Sequence, residues 1–297
     1  MSIFSRFFGR KDEPADAGAL VANPDAGDTV ALTVVFADAL NIDVAALAEA
    51  LRAYHRSTGD ARCEITEEPG TFLALAGWKK HVVRMVGFDA PMPSESVEAC
   101  VAPAHYPQEL KARVRAHRSH VILYYAGYEA SVLEQYVALA TVAGAMARLG
   151  ALAVLNESAR TSLPAGVFDA ENEGDSIELL RHLDLPALYC GFVKYEVEGV
   201  QGVWMRTYGA HHFGHPDFAA LAEGHHEGRK YFDLFGNVLR YLIESGAEMG
   251  AGHTMQVGED KFLRLRAPLE TEYFLDGPDA VLVAEMIGAD EIEARLH

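Results

Sequence analysis

Two β-rich runs joined by a short glycine-containing link constrain this chain more than any other stretch. Leu188 to Val197 reads as a strand, Gly199 and Gly202 bracket a tight connection, and Val203 to Tyr208 reads as the return strand. This pattern predicts a β-hairpin. In the first strand both alternating sets are apolar: Leu188, Cys190 and Phe192 on one side, Tyr189, Val193 and Tyr195 on the other. Such a strand is expected to be covered on both faces. Lys194, Glu196 and Glu198 then share one face and mark the end that reaches water.

The return strand leads into Thr207-Tyr208-Gly209-Ala210-His211-His212-Phe213-Gly214-His215-Pro216-Asp217. Two glycines, a proline, three histidines and a carboxylate crowd one loop at a strand end, where a rigid scaffold commonly displays binding groups. His211, His212 and His215, with Asp217, have the ligand chemistry of a zinc site. A second reading competes. Proline is favoured at the first position of a helix, so Pro216 predicts a helix start, with Asp217 in its first turn favouring the helix dipole. Free backbone N–H groups at such a start can receive an anionic ligand, and Gly209 and Gly214 let the backbone come close to it. On that reading Thr207, Gly209, Gly214 and Asp217 are binding residues.

Upstream, the order of elements predicts an α+β half with an antiparallel sheet. Thr29 to Phe36 is a β-branched strand, Asp43 caps a helix to about His55, and Cys63 to Glu67, Thr71 to Ala76 and His81 to Phe88 read as three more strands. Helical segments follow at Glu95 to Val101 and Gln108 to Ala116. His117 and His120 stand at the junction with the strand Val121 to Tyr125 and form a second candidate binding pair. Ser131 to Leu149 is an Ala-rich helix whose small residues imply close packing. Ala151 to Leu155 is a buried strand.

Thr161 to Gly174 reads as the boundary between a half at 29–160 and a half at 175–297. Asp175 caps a short helix. Arg229 to Ser245 is an apolar-striped helix with Tyr231, Leu234, Val238 and Leu242 on one side, ended by Gly246. A hairpin at His253 to Arg266 and an acidic helix over Pro278 to His297 complete the reading. The expected fold class is α+β, with antiparallel or mixed sheets and packed helices in two closely associated ferredoxin-like halves.

At the other end, Ile3, Phe4, Phe7 and Phe8 recur at helical spacing beside Arg6, Arg10 and Lys11, which suits a peripheral membrane or docking helix over residues 3–11. Asp12 to Asp28 reads as a linker, so residues 1–28 are expected to be a flexible segment.

The later half resembles an uncharacterised bacterial family, the domain of unknown function numbered 4261. The resemblance is carried by His117-Arg118-Ser119-His120 leading into Val121-Ile122-Leu123, by Thr207-Tyr208-Gly209 with Phe213-Gly214-His215-Pro216-Asp217, by the long helix ending near Gly246, and by Gly252-His253-Thr254. It implies a family domain over roughly 188–268. Asp217 stands where the family has Glu, and His211 and His212 are particular to this chain. The family carries no established activity, so the resemblance implies a fold rather than a mechanism.

Composition narrows the function classes. The chain has 297 residues and a formal charge of −18, which argues against nucleic acid as a partner. Three scattered cysteines, Cys63, Cys100 and Cys190, have no metal-ligand spacing and read as reduced thiols in a cytoplasmic protein. The longest apolar run, Gln135 to Ala147, is well short of the roughly 20 residues a spanning helix needs. No phosphate-binding GxxxxGK[ST] loop, GxSxG elbow, HExxH or CxxC is present. The leading reading is a non-catalytic binding or protein-interaction module, taking a protein partner or a small anionic ligand without a cofactor. The alternatives are a metal-dependent hydrolase using zinc in the His211–Asp217 loop, and a small-ligand sensor with its pocket between the hairpin and the Arg229 to Ser245 helix.

Overall fold

The structure, a computed structural model, describes residues 19–26, 30–68, 71–169, 175–277 and 280–293. The first half opens with strand β1 (Ala31–Phe36) and helix α1 (Val44–Tyr54), followed by β2 (Arg62–Glu68), β3 (Thr71–Trp78) and β4 (His81–Phe88). Helices α2 (Ser94–Val101) and α3 (Gln108–Arg115) precede β5 (Ser119–Tyr125). Helix α4 (Val132–Ala147), β6 (Ala151–Asn156) and β7 (Thr161–Pro164) complete it. The seven strands form one antiparallel sheet in the order β2-β3-β4-β5-β1-β6-β7.

The second half has short helices α5 (Ser176–Arg181) and α6 (Leu185–Leu188), then β8 (Gly191–Tyr195), β9 (Val203–Tyr208) and β10 (Asp217–Ala222). Helix α7 (Gly228–Ser245), β11 (Thr254–Gln256), β12 (Lys261–Arg266), β13 (Val281–Gly288) and α8 (Ala289–Glu293) follow. Its six strands run in the order β11-β12-β13-β10-β9-β8, with β10 and β13 parallel and the other pairs antiparallel. The fold is therefore α+β with one antiparallel and one mixed sheet. The two sheets carry seven and six strands.

Local signals explain the helix ends. The Asp43 carboxylate accepts from the Ala45 and Ala46 N–H groups at 2.9 and 3.2 Å, Ser131 caps α4, and Asp175 caps α5. Gly246, at φ 67°, ends α7 in the left-handed conformation. Close packing of α4 also has a visible cause. A β-carbon on Gly144 would stand 2.4 Å from the Phe168 carbonyl oxygen and 2.4 Å from the Tyr54 ring, so only glycine lets these groups meet. One continuous hydrophobic core runs from Val30 and Leu32 on the first sheet, through α1 and α4, to Phe218, Phe235 and Leu282 in the second half.

Several expectations are corrected. The strand expected from Leu188 starts at Gly191, because Leu185–Leu188, with Pro186 in its first turn, forms α6 instead. Residues Phe192–Tyr195 are half-buried rather than covered on both faces. The expected boundary from Thr161 begins with β7, which pairs with β6 as an edge strand. The expected C-terminal helix is largely the strand β13, whose VLVAEMIG sequence pairs with both β10 and β12. Part of the expected N-terminal linker is also docked. The Leu20 N–H donates to Glu64 Oε2 at 2.9 Å, and the Asn23 N–H to the Ala126 carbonyl at 2.8 Å. The helix expected over residues 3–11 lies outside the described residues. Among the described residues, no helix is long and apolar enough to cross a membrane.

Candidate functional site

The loop after β9 is built by two left-handed glycines around one turn of 3-10 helix. Gly209 (φ 90°) turns the chain out of the sheet, Ala210–Phe213 makes the turn, and Gly214 (φ 76°) ends it. The chain then enters β10 rather than the helix expected at Pro216. Phe218, Ala219 and Ala220 are buried within the sheet, and the Asp217 N–H bonds to the Ala280 carbonyl at 3.0 Å, so long-range pairing overrides the helix-start signal of Pro216.

Asp217 is consequently an internal strut. Its Oδ1 accepts from the Thr207 hydroxyl and from the Ala210 N–H, each at 3.1 Å, while Thr207 Oγ1 accepts from the Phe218 N–H at 2.8 Å. Both side chains are buried. Burial pushes the Asp217 carboxyl above its ordinary value of 3.8, against the lowering effect of the Ala210 and Thr207 hydrogen bonds and of the Arg206 charge. Thr207 and Asp217, read as binding residues, instead hold the loop shut against the sheet.

The histidines divide. The His211 and His212 rings lie 4.2 Å apart between centres and tilted to each other, and His212 lies edge-on to Tyr136 of α4, with Phe213 stacked on the same tyrosine. His211, Gly214, His215 and Pro216 line a surface cleft of about 490 Å³, faced by Met249, Gly250 and Leu282. Burial lowers the His215 pKa, which favours the neutral ring. The expected ligand set of His211, His212 and His215 with Asp217 is not assembled. Among the described residues no three His, Cys, Asp or Glu side chains are grouped to hold a metal ion. The physical reason is that the Asp217 carboxylate faces inward onto Thr207 and Ala210.

His117 and His120 do come together, 6.3 Å apart and edge to face, but each is committed to backbone. His117 Nε2 accepts from the Met92 N–H at 2.8 Å, and its Nδ1 is 2.7 Å from the Val114 carbonyl. This fixes a neutral ring with the proton on Nδ1, consistent with the lowering of its pKa by burial. His120 Nδ1 lies 2.8 Å from the Ala90 carbonyl. The pair anchors the segment after β4.

The cysteines are free thiols. Burial pushes Cys63 and Cys100 up to about 12 and Cys190 well above its ordinary value, which leaves them poorly nucleophilic. A further cleft of about 440 Å³, lined by Leu234, Val238, Tyr241, Met255 and Val257, lies between α7 and β11, not between α7 and the β8–β9 hairpin as the sensor reading expects.

Sequence reasoning missed one group. Trp204, Arg206 and Tyr208 alternate along β9 and share a face, opposite Tyr195, Val193 and Gly191 of β8. Arg206 is only 1 % exposed. Its signal was present: one cation in a strand otherwise composed of Val, Trp, Met, Thr and Tyr.

A family model for the Domain of unknown function (DUF4261) matches residues 206–285. The match supports the resemblance to that family over these residues. The DUF4261 match begins at Arg206 and takes in the glycine loop, β10, α7 and both strands of the last hairpin, and it ends within β13. It starts later and ends later than the 188–268 expected from the resemblance. No curated protein and no solved structure matches the chain.

Proposed function

We propose that the protein is a binding module whose working edge is the cleft beside the Gly209–Asp217 loop, and that its ligand is small, partly apolar and equipped with an anionic or polar group. One observation carries this reading. The Asp217 strut fixes the loop from behind, while His211, Gly214 and His215 face a cleft of about 490 Å³ whose opposite wall is Met249 and Leu282. A mostly apolar recess with a few fixed polar groups is the usual form of a small-molecule site. A neutral His215 offers hydrogen bonding rather than charge. The three free thiols, two of them buried, support a cytoplasmic setting.

The test is an amide chemical-shift titration of the folded protein with a panel of small carboxylates, phosphates and aromatic acids. The reading expects saturable shifts at residues 209–217 and 249–251, weakened in His215→Ala and abolished in Gly214→Val. Saturable shifts mapping only to α7 and β11 would move the site to the other cleft and overturn it.

A further inference from the structure

Arg206 presents a physical problem that the loop cleft does not address. Its guanidinium is buried, and among the described residues no carboxylate pairs with it. Its nearest acceptors are the backbone carbonyls of Phe274 and Asp276, at 3.4–3.5 Å, the outer limit of hydrogen bonding. Nε has no acceptor at all. By contrast, Arg266 in the same region holds Glu272 through two bonds of 2.7 Å. A buried cation is normally neutralised or fully hydrogen-bonded, because leaving it otherwise is costly.

Two further donors stand on the same face in the same condition. The Trp204 Nε1–H is buried without a hydrogen-bond partner, and the buried Tyr195 hydroxyl has none in good hydrogen-bond geometry, with Arg206 close enough to act on its pKa. Tyr195 is the cross-strand partner of Trp204, and Val193 and Ala219 flank Arg206 in the sheet on either side. Phe274 lies edge-on over both Tyr195 and Trp204. The cover over all three donors is therefore one short strap, the Glu270–Leu275 turn and the residues just after it. The charge balance points the same way. Arg160 and Arg206 both lie over the Tyr208 ring, at 4.2 and 4.4 Å, and neither has an ion-pair partner among the described residues, in a chain of net charge −18. Asp217, buried and close enough for Arg206 to lower its pKa, is a nearby counter-charge, and its Oδ1 is already taken by Thr207 and Ala210.

We propose that Arg206, Trp204 and Tyr195 form a subsite for a small oxyanion, a carboxylate or phosphate group, which replaces the long contacts from the Phe274 and Asp276 carbonyls. Three convergent donors, one of them charged, match an oxyanion and no cation. The cleft on the far flank of Trp204 is lined by Glu223, Glu227, Glu272 and Glu285 against Lys230 and Arg266, so the oxyanion enters beneath the strap rather than through that cleft. This inference does not rest on the ligand of the loop cleft.

The chain has two tryptophans, so in a Trp78→Phe background Trp204 is the sole indole reporter. Its fluorescence is titrated with inorganic phosphate and, separately, with acetate, at constant ionic strength with chloride as the control salt. The expected result is a saturable change with one of the two, half-complete at or below about 1 mM, absent with chloride and weakened about tenfold or more in Arg206→Met. The arm that responds identifies phosphate or carboxylate as the group. His215→Ala leaves this response unchanged, which separates the subsite from the loop cleft. If Arg206→Met does not fold, Tyr195→Phe decides: it removes only a hydroxyl, and it should weaken binding several-fold with the fold intact. No saturable response to either anion, or an equal response in the folded Arg206 or Tyr195 variant, overturns the proposal.

Discussion

The Ala159 carbonyl oxygen occupies the space beside Gly191 so fully that a β-carbon on the glycine would stand 1.4 Å from it. Ala159 lies in the turn between β6 and β7 of the first sheet, and Gly191 opens β8 of the second. The two halves thus meet backbone to backbone. Asn156 reinforces the seam: its Nδ2 donates to the Leu188 carbonyl at 2.8 Å, and its Oδ1 accepts from the Ala159 N–H at 3.2 Å.

Gly191→Ala should therefore be among the most damaging single changes in the chain. No side-chain rotation relieves a clash with backbone, so the expected loss exceeds about 4 kcal/mol, in the range reserved for severe core disruption. Urea denaturation of parent and variant checks this. A loss below about 1 kcal/mol would mean that the seam opens readily and that the halves are not held by this contact.

Phe192, next along β8, tests how deeply the hairpin is buried. It is half-buried and meets Phe232 and Phe235 of α7 edge-on, at 5.7 and 6.4 Å between ring centres. Truncation of a fully buried Phe costs about 3–5 kcal/mol, so Phe192→Ala should cost less, about 2–3 kcal/mol. Equilibrium unfolding measures it, and a value at the top of the full range would indicate that the α7 contact is tighter than this geometry.

What the sequence made legible was local. Asp43, Ser131, Asp175 and Gly246 mark helix ends through bonds within a few residues, and all four act as their chemistry predicts. The strand β1 follows from its β-branched run, and β2, β3 and β4 lie within a few residues of where the sequence places them. What stayed hidden depends on partners distant in sequence. Asp217 resembles a first-turn helix residue until Thr207, Ala210 and Ala280 are brought to it. Arg206 is a single cation in an apolar strand, and the carbonyls that lie over it are 68 and 70 residues away. The tail reads as an acidic helix because its place between β10 and β12 is decided by tertiary pairing, which outweighs local propensity. Of the candidate site residues, His211, Gly214 and His215, which line the loop cleft, stand out by the composition of the loop, whereas the partners that make Thr207, Asp217, His117 and His120 internal braces include backbone groups distant in sequence.

Chelation bears on the histidine loop directly. With the Asp217 carboxylate turned inward and no three-ligand group among the described residues, extensive dialysis against a chelator should leave the melting temperature unchanged. Added zinc should not raise it beyond what weak surface histidine binding produces. A fall of several degrees on chelation, restored by stoichiometric zinc and absent in His211→Ala with His215→Ala, would reinstate the loop as a metal site.

The Asp217 strut carries a signed pH dependence. Its folded pKa lies above the ordinary 3.8, first because burial disfavours the charged form. The folded state therefore holds this proton more tightly than the unfolded state does. Below the ordinary value both states are protonated and the group contributes no penalty. As pH rises through the window from the ordinary to the raised value, the unfolded state loses its proton first, and the folded protein loses stability that it does not regain above the window. Asp217→Asn keeps an oxygen to accept from Thr207 and Ala210 and has nothing to titrate. Relative to this variant, the parent should thus be progressively destabilised across the window and stay offset by a constant amount at higher pH. Urea unfolding at closely spaced pH values measures the difference curve. A curve that runs the opposite way, with the parent gaining on the variant as pH rises, would mean that the hydrogen bonds and the Arg206 charge outweigh burial, and that the ionised carboxylate stabilises the loop.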